Sequence, residues 1–287
     1  MRFVTMQTNQ GPRVAAVQGE KYIDLHATDN SLPPSLRQLL AGGPELLARV
    51  KQVVNRPVTV SHVAGTVPLL APLPDPRKIV CIGLNYRDHA LEQNAPVPKE
   101  PVVFSKLPTT LIPQGQAIRL PKASQEVDFE AELVVVIGRR GRDLTPETAM
   151  DYVAGYMVGN DVSARDWQKN KEGRQWLLGK SFDTFAPTGP ALVTTDEIPD
   201  PHNLAIRLRL NGQVMQDSHT SQLLFSIPTL LTYITQVFTV EPGDLLFTGT
   251  PAGVGFARKP PIFLKPGDVV EVEIERLGVL RNPVEAA

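Results

Sequence analysis

A single cysteine in 287 residues, Cys81, rules out an intrachain disulfide and any zinc cluster built on cysteine. It lies in the apolar run "KIVCIGLNY" and reads as a buried, inert thiol rather than a nucleophile. An excess of one charge is also missing. With 29 basic and 30 acidic residues, a net charge of −1 and no Lys/Arg run, no nucleic-acid partner is expected. No apolar run reaches the about 18 residues a membrane helix requires, so no membrane partner is expected either. "MRFVTMQTNQ" has no signal-peptide core. The expected location is cytoplasmic, or the mitochondrial matrix in a eukaryote, although no clear transit peptide is present.

What is present is an ordinary globular composition, 42% hydrophobic and 21% charged, long enough for one large domain or a large and a small one. Residues 2 to 25 read as short strands around a turn at "TNQGP". Helices follow near 34 to 41 and 44 to 54, the second with Pro44 at its first position. Prolines at 68, 72, 74 and 76 mark a linker, which divides the chain into a small N-terminal domain, 1–70, and a larger one, 71–287. Beyond it the signals are mainly β. "LAIRLRLNGQVMQ" reads as a hairpin about Asn211-Gly212, and two Pro-Gly-Asp turns each precede a strand. Short helices are expected at "NYRDHALEQN", "TPETAMDY", "SARDWQKN" and "SIPTLLTYITQVF". The fold class is β-rich mixed α/β, with too few β-α alternations for a doubly wound sheet.

The chemistry gathers around "SQEVDFEAELVVVIG", residues 124–138. On a strand, Val127, Phe129, Ala131, Leu133, Val135 and Ile137 share one apolar face. The other face carries Glu126, Asp128, Glu130 and Glu132, then turns apolar at Val134 and Val136. Glu130 and Glu132 thus stand where a wet face becomes dry, and a carboxylate there needs a cation, a donor or a proton. By contrast, Glu271, Glu273 and Glu275 in "VVEVEIERLG" read as a solvated face.

Asp161, at the end of the apolar strand "YVAGYMVGN", is either a capping residue or a third acid; Ser163 can cap the helix that follows it. Three carboxylates without Cys or a neighbouring His form a hard oxygen set suited to Mg²⁺, Mn²⁺ or Ca²⁺. Of five histidines, His89 has Glu92 three residues on, which makes either a surface pair or a general base with its orienting carboxylate. Lys180, among apolar neighbours, can hold an oxyanion or remain solvated. "FTGTPAGVG" (247–255) lacks the features of a P-loop, yet Thr248 and Thr250 can donate to a carboxylate.

"GLNYRDHALE", "PVVFSK", "DFEAELVVVIG", "NDVSARDWQ", "GKSFDTFAPTGP", "PDPHNL", "LNGQVMQDSHTSQLLFSI", "PGDLLFTGTPAGVG" and "PIFLKPGD" follow the order found in the fumarylacetoacetate hydrolase family. The chain resembles that family over about residues 75 to 280, and most resembles the branch with a small N-terminal domain. The resemblance implies a mixed β-sandwich roll assembled as a homodimer. It implies Mg²⁺ or Mn²⁺ on Glu130, Glu132 and Asp161, and a water-activating pair, His89 and Glu92, on a segment that orders as a lid in relatives. Lys180, Gln168 and Thr250 would then contact substrate oxygens, with Thr248 and Gly249 in the same loop and Arg165 in support.

The substrates implied are small 2-oxo or 2,4-dioxo acids. A divalent ion chelated by such an acid stabilises an enolate as a Lewis acid. Delivery of water gives a C–C bond hydrolase of the acylpyruvate type, which is the first expectation. Reprotonation gives the alternative, an oxaloacetate keto-enol tautomerase with decarboxylation as a side activity. A silent binding protein is a third reading, which the retained His89, Glu92 and Lys180 oppose. Acylpyruvase-type relatives can carry a basic residue where this chain has Leu84 in "CIGLNY", which weakens the acylpyruvate reading.

Overall fold

Strands form where apolar and polar residues alternate, and the turns between them use the residues the sequence supplies. The computed structural model describes residues 1–57, 59–94 and 96–287. The hairpin joins Ala205–Leu210 to Gln213–His219 through Asn211 (φ 53°) and Gly212 (φ 80°). That left-handed pair matches the twist of its flanking strands. The two Pro-Gly-Asp corners have one construction: Asp244 Oδ2 accepts from Glu241 N at 2.8 Å, and Asp268 Oδ2 from Lys265 N at 2.8 Å.

The largest sheet has a ten-strand path. It runs Ser61–Val63, Lys21–Asp24, Gly11–Gln18, Arg2–Thr8, Ala186–Thr194, Val153–Asn160, Ala131–Ile137, Leu245–Phe247, Ile79–Gly83 and Val102–Ser105. Leu69–Leu70 and Leu111–Ile112 pair alongside it. A five-stranded sheet, Gln213–His219, Ala205–Leu210, Val269–Ile274, Gly278–Ala286 and Ile118–Leu120, packs on one face. Together they make the β-rich mixed sandwich, with few helices.

The strand Ala131–Ile137 is buried on both faces. Leu133, Val135 and Ile137 join Ile206, Leu208, Val272 and Leu280 in the core between the sheets. Val134 and Val136 join a second core with Leu36, Leu39, Val50 and Val53 from the N-terminal helices Leu36–Ala41 and Gly43–Val54. The N-terminal strands extend the same sheet, with Phe3 opposite Leu192. Cys81 is buried in this second core, and burial pushes its thiol pKa well up.

Several elements differ from expectation for local reasons. The acidic segment is not one strand. Val127–Asp128 pairs with Ser163–Ala164, the ladder lapses at Phe129 and Glu130, and Ala131–Ile137 begins a different sheet. At the break, side chains replace the ladder: Glu130 N donates to Asn160 Oδ1 at 2.9 Å and Ala131 N to Gln216 Oε1 at 2.8 Å. "TPETAMDY" forms only a 3₁₀ turn, Ala149–Tyr152. The helix Ile227–Thr235 stops before Val237, which is 71% exposed. Ser163 does not cap the next helix. It lies in the short pairing above, donates to Asp161 O at 2.8 Å, and leaves the N-cap position to Ala164. The proline-rich stretch contributes Leu69–Leu70 to the sheet, so part of it is pinned rather than free.

Gln216 is fully buried, accepting from Ala131 N and donating to Thr250 Oγ1 and Pro251 O at 2.8 Å each. Gln216→Leu should cost about 2–4 kcal/mol, because it strands a buried donor and a buried acceptor. Urea unfolding of the two proteins measures this; an unchanged midpoint would refute the pinning role.

Candidate active site

The break between the two acidic half-strands sets the site. Asp161 follows the strand Val153–Asn160, and its N–H donates to Glu130 O at 2.9 Å. Glu132 stands opposite Gly159 in the ladder. Carboxylate oxygens of Glu130, Glu132 and Asp161 all lie within 4.8 Å of one another, and the three residues are buried. The structure thus brings together the three acids singled out in the sequence.

Three cations enclose these acids. Lys180 Nζ donates to Glu130 Oε2 at 2.6 Å and to Asp161 Oδ2 at 2.8 Å. Lys106 Nζ donates to Asp161 Oδ1 at 2.5 Å. Arg165 reaches Glu130 Oε1 at 2.6 Å and Asp128 Oδ2 at 2.8 Å. Lys180 attains this position because it follows Gly179. A Cβ at residue 179 would lie 2.7 Å from Gln168 N, so only glycine lets the helix Trp176–Lys180 approach Arg165–Asn170 so closely.

Asp128 requires a correction. With Glu130 and Glu132 assigned as ligands by the family resemblance, Glu126 and Asp128 are left as a solvated strand entrance; Glu126 is half-buried, but Asp128 is 0% exposed. It accepts from Gly255 N at 2.7 Å and Phe256 N at 3.1 Å as well as from Arg165. Parity identified the face; the loop 253–256 folding over it removed the water.

Protonation follows from this arrangement. Burial pushes Glu130 toward its neutral form, but Lys180 and Arg165 outweigh it and hold the carboxyl at about 2. Burial lowers Lys180 while Asp161 and Glu130 raise it further, so its pKa ends above the ordinary lysine value. Lys106 ends below that value, because burial exceeds the help from Asp161. Glu132 is pushed well up by burial and by Asp161 and Glu130.

Four buried carboxylates thus face three buried cations, and Glu132 is the acid without a cationic partner within ion-pair distance among the described residues. Its hydrogen bond is with Gly249 N at 2.7 Å, from a residue whose φ of 104° suits glycine. Tyr86 Oη, also buried, has no hydrogen-bond partner among the described residues. One uncompensated carboxylate beside two more, all hard oxygen donors, fits a divalent cation. Glu130, Glu132 and Asp161 are the residues that would hold it.

His89 lies on the helix Arg87–Glu92 and is 4% exposed, so it is no surface residue. Its Nδ1 is 3.2 Å from Glu92 Oε2, and its Nε2 2.6 Å from the Gln93 side-chain nitrogen. A carboxylate on one side and an amide donor on the other select the tautomer with the proton on Nδ1 and a basic Nε2. Glu92 is tied in turn to the loop by Gly253 N at 2.9 Å. His89, Glu130, Glu132, Arg165, Gln168, Lys180 and Thr250 line one small cavity of about 70 Å³, whose wall includes Leu84. Thr248 is absent from that lining; its hydroxyl donates to Leu133 O at 2.9 Å, and Gly249 meets the site through its N–H.

Some residues of the site were not singled out in the sequence. Lys106 ends the motif "PVVFSK", and an alternating strand that closes on a lysine was its only signal. Gln93, four residues after His89, was legible from helical spacing. Asn85 ties the turn before the helix to the T-G-T-P loop, donating to Thr248 O at 2.8 Å and accepting from Phe225 N at 2.8 Å. Nothing local marks Gln216.

The chain is similar to known proteins over nearly its whole length. Residues 78–285 match the family model for the fumarylacetoacetate (FAA) hydrolase C-terminal region. The chain is 50% identical over 290 residues to the mitochondrial oxaloacetate tautomerase fahd2 of Xenopus laevis, covering 99% of this chain and 90% of that protein. It is 49% identical over 266 residues to human mitochondrial oxaloacetate tautomerase FAHD2A, covering 93% and 84%. The solved fumarylacetoacetate hydrolase of Exiguobacterium antarcticum superposes with a TM-score of 0.86 at 36% identity, covering 100% of both chains.

Replacing Glu132 separates a ligand from a structural acid. Metal-free Glu132→Gln should be at least as stable as the parent, because the amide fills the same space without the cost of ionising a buried carboxyl beside two others. At a Mn²⁺ concentration 100-fold above the parent's dissociation constant, the parent should gain about 2.7 kcal/mol and the variant much less. Thermal unfolding with chelator and with Mn²⁺ measures both, and a full metal shift in the variant would remove Glu132 from the ligand set.

Proposed function

The chain belongs to the fumarylacetoacetate hydrolase family, in the branch of its domain-containing protein 2 members, and is one of its enzymes; from that premise we propose that it is an oxaloacetate keto-enol tautomerase. The observation that carries the reading is near-full-length identity of about half to proteins named for that activity. The first expectation, C–C hydrolysis, has weaker support than this alternative.

Mg²⁺ or Mn²⁺ on the acidic triad would supply Lewis acidity toward a 2-oxo acid, with Ca²⁺ a third fit for the same oxygen set. The protein's own groups do the rest. Lys180 Nζ donates to the oxygen on which negative charge develops, and its raised pKa keeps it cationic. Gln168 and Thr250 orient the acid, while Arg165 fixes Gln168 through a 2.9 Å bond to its side-chain oxygen. His89 Nε2 takes the proton from the carbon next to the ketone and passes it to the enolate oxygen, and in the reverse direction it takes the enol O–H proton and delivers it to that carbon. Glu92 stabilises the imidazolium that forms between the two events. Only a C–H and an O–H bond change, so no water is consumed.

The His89–Glu92 pair also supports C–C hydrolysis, in which Nε2 would draw its proton from water. Decarboxylation would be a side activity of the same site. A homodimer fits the open sheet edge at Val102–Ser105, where Val103 and, just beyond, Leu107 are exposed beside Leu177 and Leu178. The cytoplasm, or the mitochondrial matrix in a eukaryote, is the proposed location, and the curated relatives' names place them in mitochondria. No helix of the described residues is long and apolar enough to cross a membrane.

With Mg²⁺ present, the enzyme should speed loss of oxaloacetate enol absorbance without stoichiometric release of pyruvate, and His89→Gln should slow this by about 10²–10⁴-fold. Pyruvate appearing in step with enol loss from oxaloacetate would indicate decarboxylation. Its release from acylpyruvates, with no tautomerisation of oxaloacetate, would establish the hydrolase instead.

A further inference from the structure

Every deeply buried cation of the site already holds a carboxylate of the protein. Lys106, Lys180 and Arg165 each donate to Asp128, Glu130 or Asp161. One further cation lines the same cavity, Lys169, in the last turn of the helix Arg165–Asn170. Its Nζ sits 3.4 Å from the centre of the Phe256 ring, and the guanidinium of Arg165 lies 4.3 Å from that centre. No carboxylate of the described residues lies within ion-pair distance of Lys169. Asp128 and Glu130, the nearest acids by charge, are bound by Arg165. Partial burial of its ammonium and the neighbouring Arg165 lower its pKa to about 8, although the residue as a whole is exposed.

The geometry points to Lys169 as the anchor for a second, distal carboxylate of the substrate, which makes the site selective for dicarboxylic 2-oxo acids over monocarboxylic ones. This rests on the cavity being the substrate site of the reading above. The argument is electrostatic and steric. The acidic triad and Lys180 lie at the buried floor, where a chelating 2-oxo carboxylate belongs, and Lys169 is exposed at the rim. Phe256 fixes the ammonium without neutralising it, since a ring face attracts a cation but leaves its N–H donors open on the other side. A carboxylate reaching the rim would accept a charge-assisted hydrogen bond from Nζ. Leu84, in the cavity wall where a basic residue would provide a rival anchor, is apolar, so the rim position is left to Lys169.

The test compares two ligands that differ in that carboxylate alone, 3,3-difluoro-oxaloacetate and its 4-methyl ester, neither able to enolise. Calorimetric titration into the Mg²⁺-loaded enzyme should show the diacid binding about tenfold or more tightly than the ester. Lys169→Met, which keeps an apolar stem against Phe256, should erase that preference by weakening the diacid alone, and Lys169→Arg should retain it. A parent enzyme without the preference, or a Lys169→Met enzyme that keeps it, overturns the anchor whatever the enzyme's activity. If the preference depends on Lys169 while oxaloacetate tautomerisation is absent, the anchor stands and the tautomerase reading falls.

Discussion

Seven ionisable side chains are removed from water around one point, and the rest of the structure is arranged so that they compensate one another. Asp128, Glu130, Glu132 and Asp161 meet Lys106, Arg165 and Lys180, all buried. Desolvating so many charges is costly, and their mutual attraction offsets that only when each partner is held in close geometry. The holding elements are rigid: two strand ends, two short helices brought together at Gly179, and a loop tied down by Asp128 and Glu92. The cluster ends one cation short at Glu132. A structure that encloses such a deficit has a place for an external positive charge, and the two remaining acids of the triad stand beside it.

The two cores keep this cluster still. One face of Ala131–Ile137 packs toward the five-stranded sheet and the other toward the N-terminal helices, so the strand that carries Glu132 is clamped from both sides. The N-terminal segment therefore belongs to the scaffold of the site although it contributes no residue to the cavity lining. Residues 1–70 and 71–287 remain the proposed domains, and the sheet is continuous across that division.

Charge decides the chemistry this arrangement can perform. The deeply buried cations are engaged with protein acids, while His89 Nε2, which accepts from the Gln93 amide, lies beside the same cavity. An anionic acid held at the floor is thus exposed to one base and one fixed ammonium, the minimum for moving a proton between carbon and oxygen.

Much of this was legible in local pattern. Period-two alternation located the strands, Asn211-Gly212 located the hairpin, and the change from acidic to apolar along one face singled out Glu130 and Glu132. Residue order also revealed the family, because its motifs lie within continuous segments. Other features depend on atoms distant in sequence. Parity cannot tell that the loop at Gly255 seals Asp128 from water, nor that Gln216 substitutes for a strand ladder 85 residues away. It also cannot show that Lys106 and Lys180 converge on one carboxylate from segments 74 residues apart. A sequence determines which side chains share a face, because that depends on backbone geometry alone. Which of those faces become dry, and which charges meet there, was decided by tertiary packing, because burial and Coulomb attraction act through space without regard to chain order.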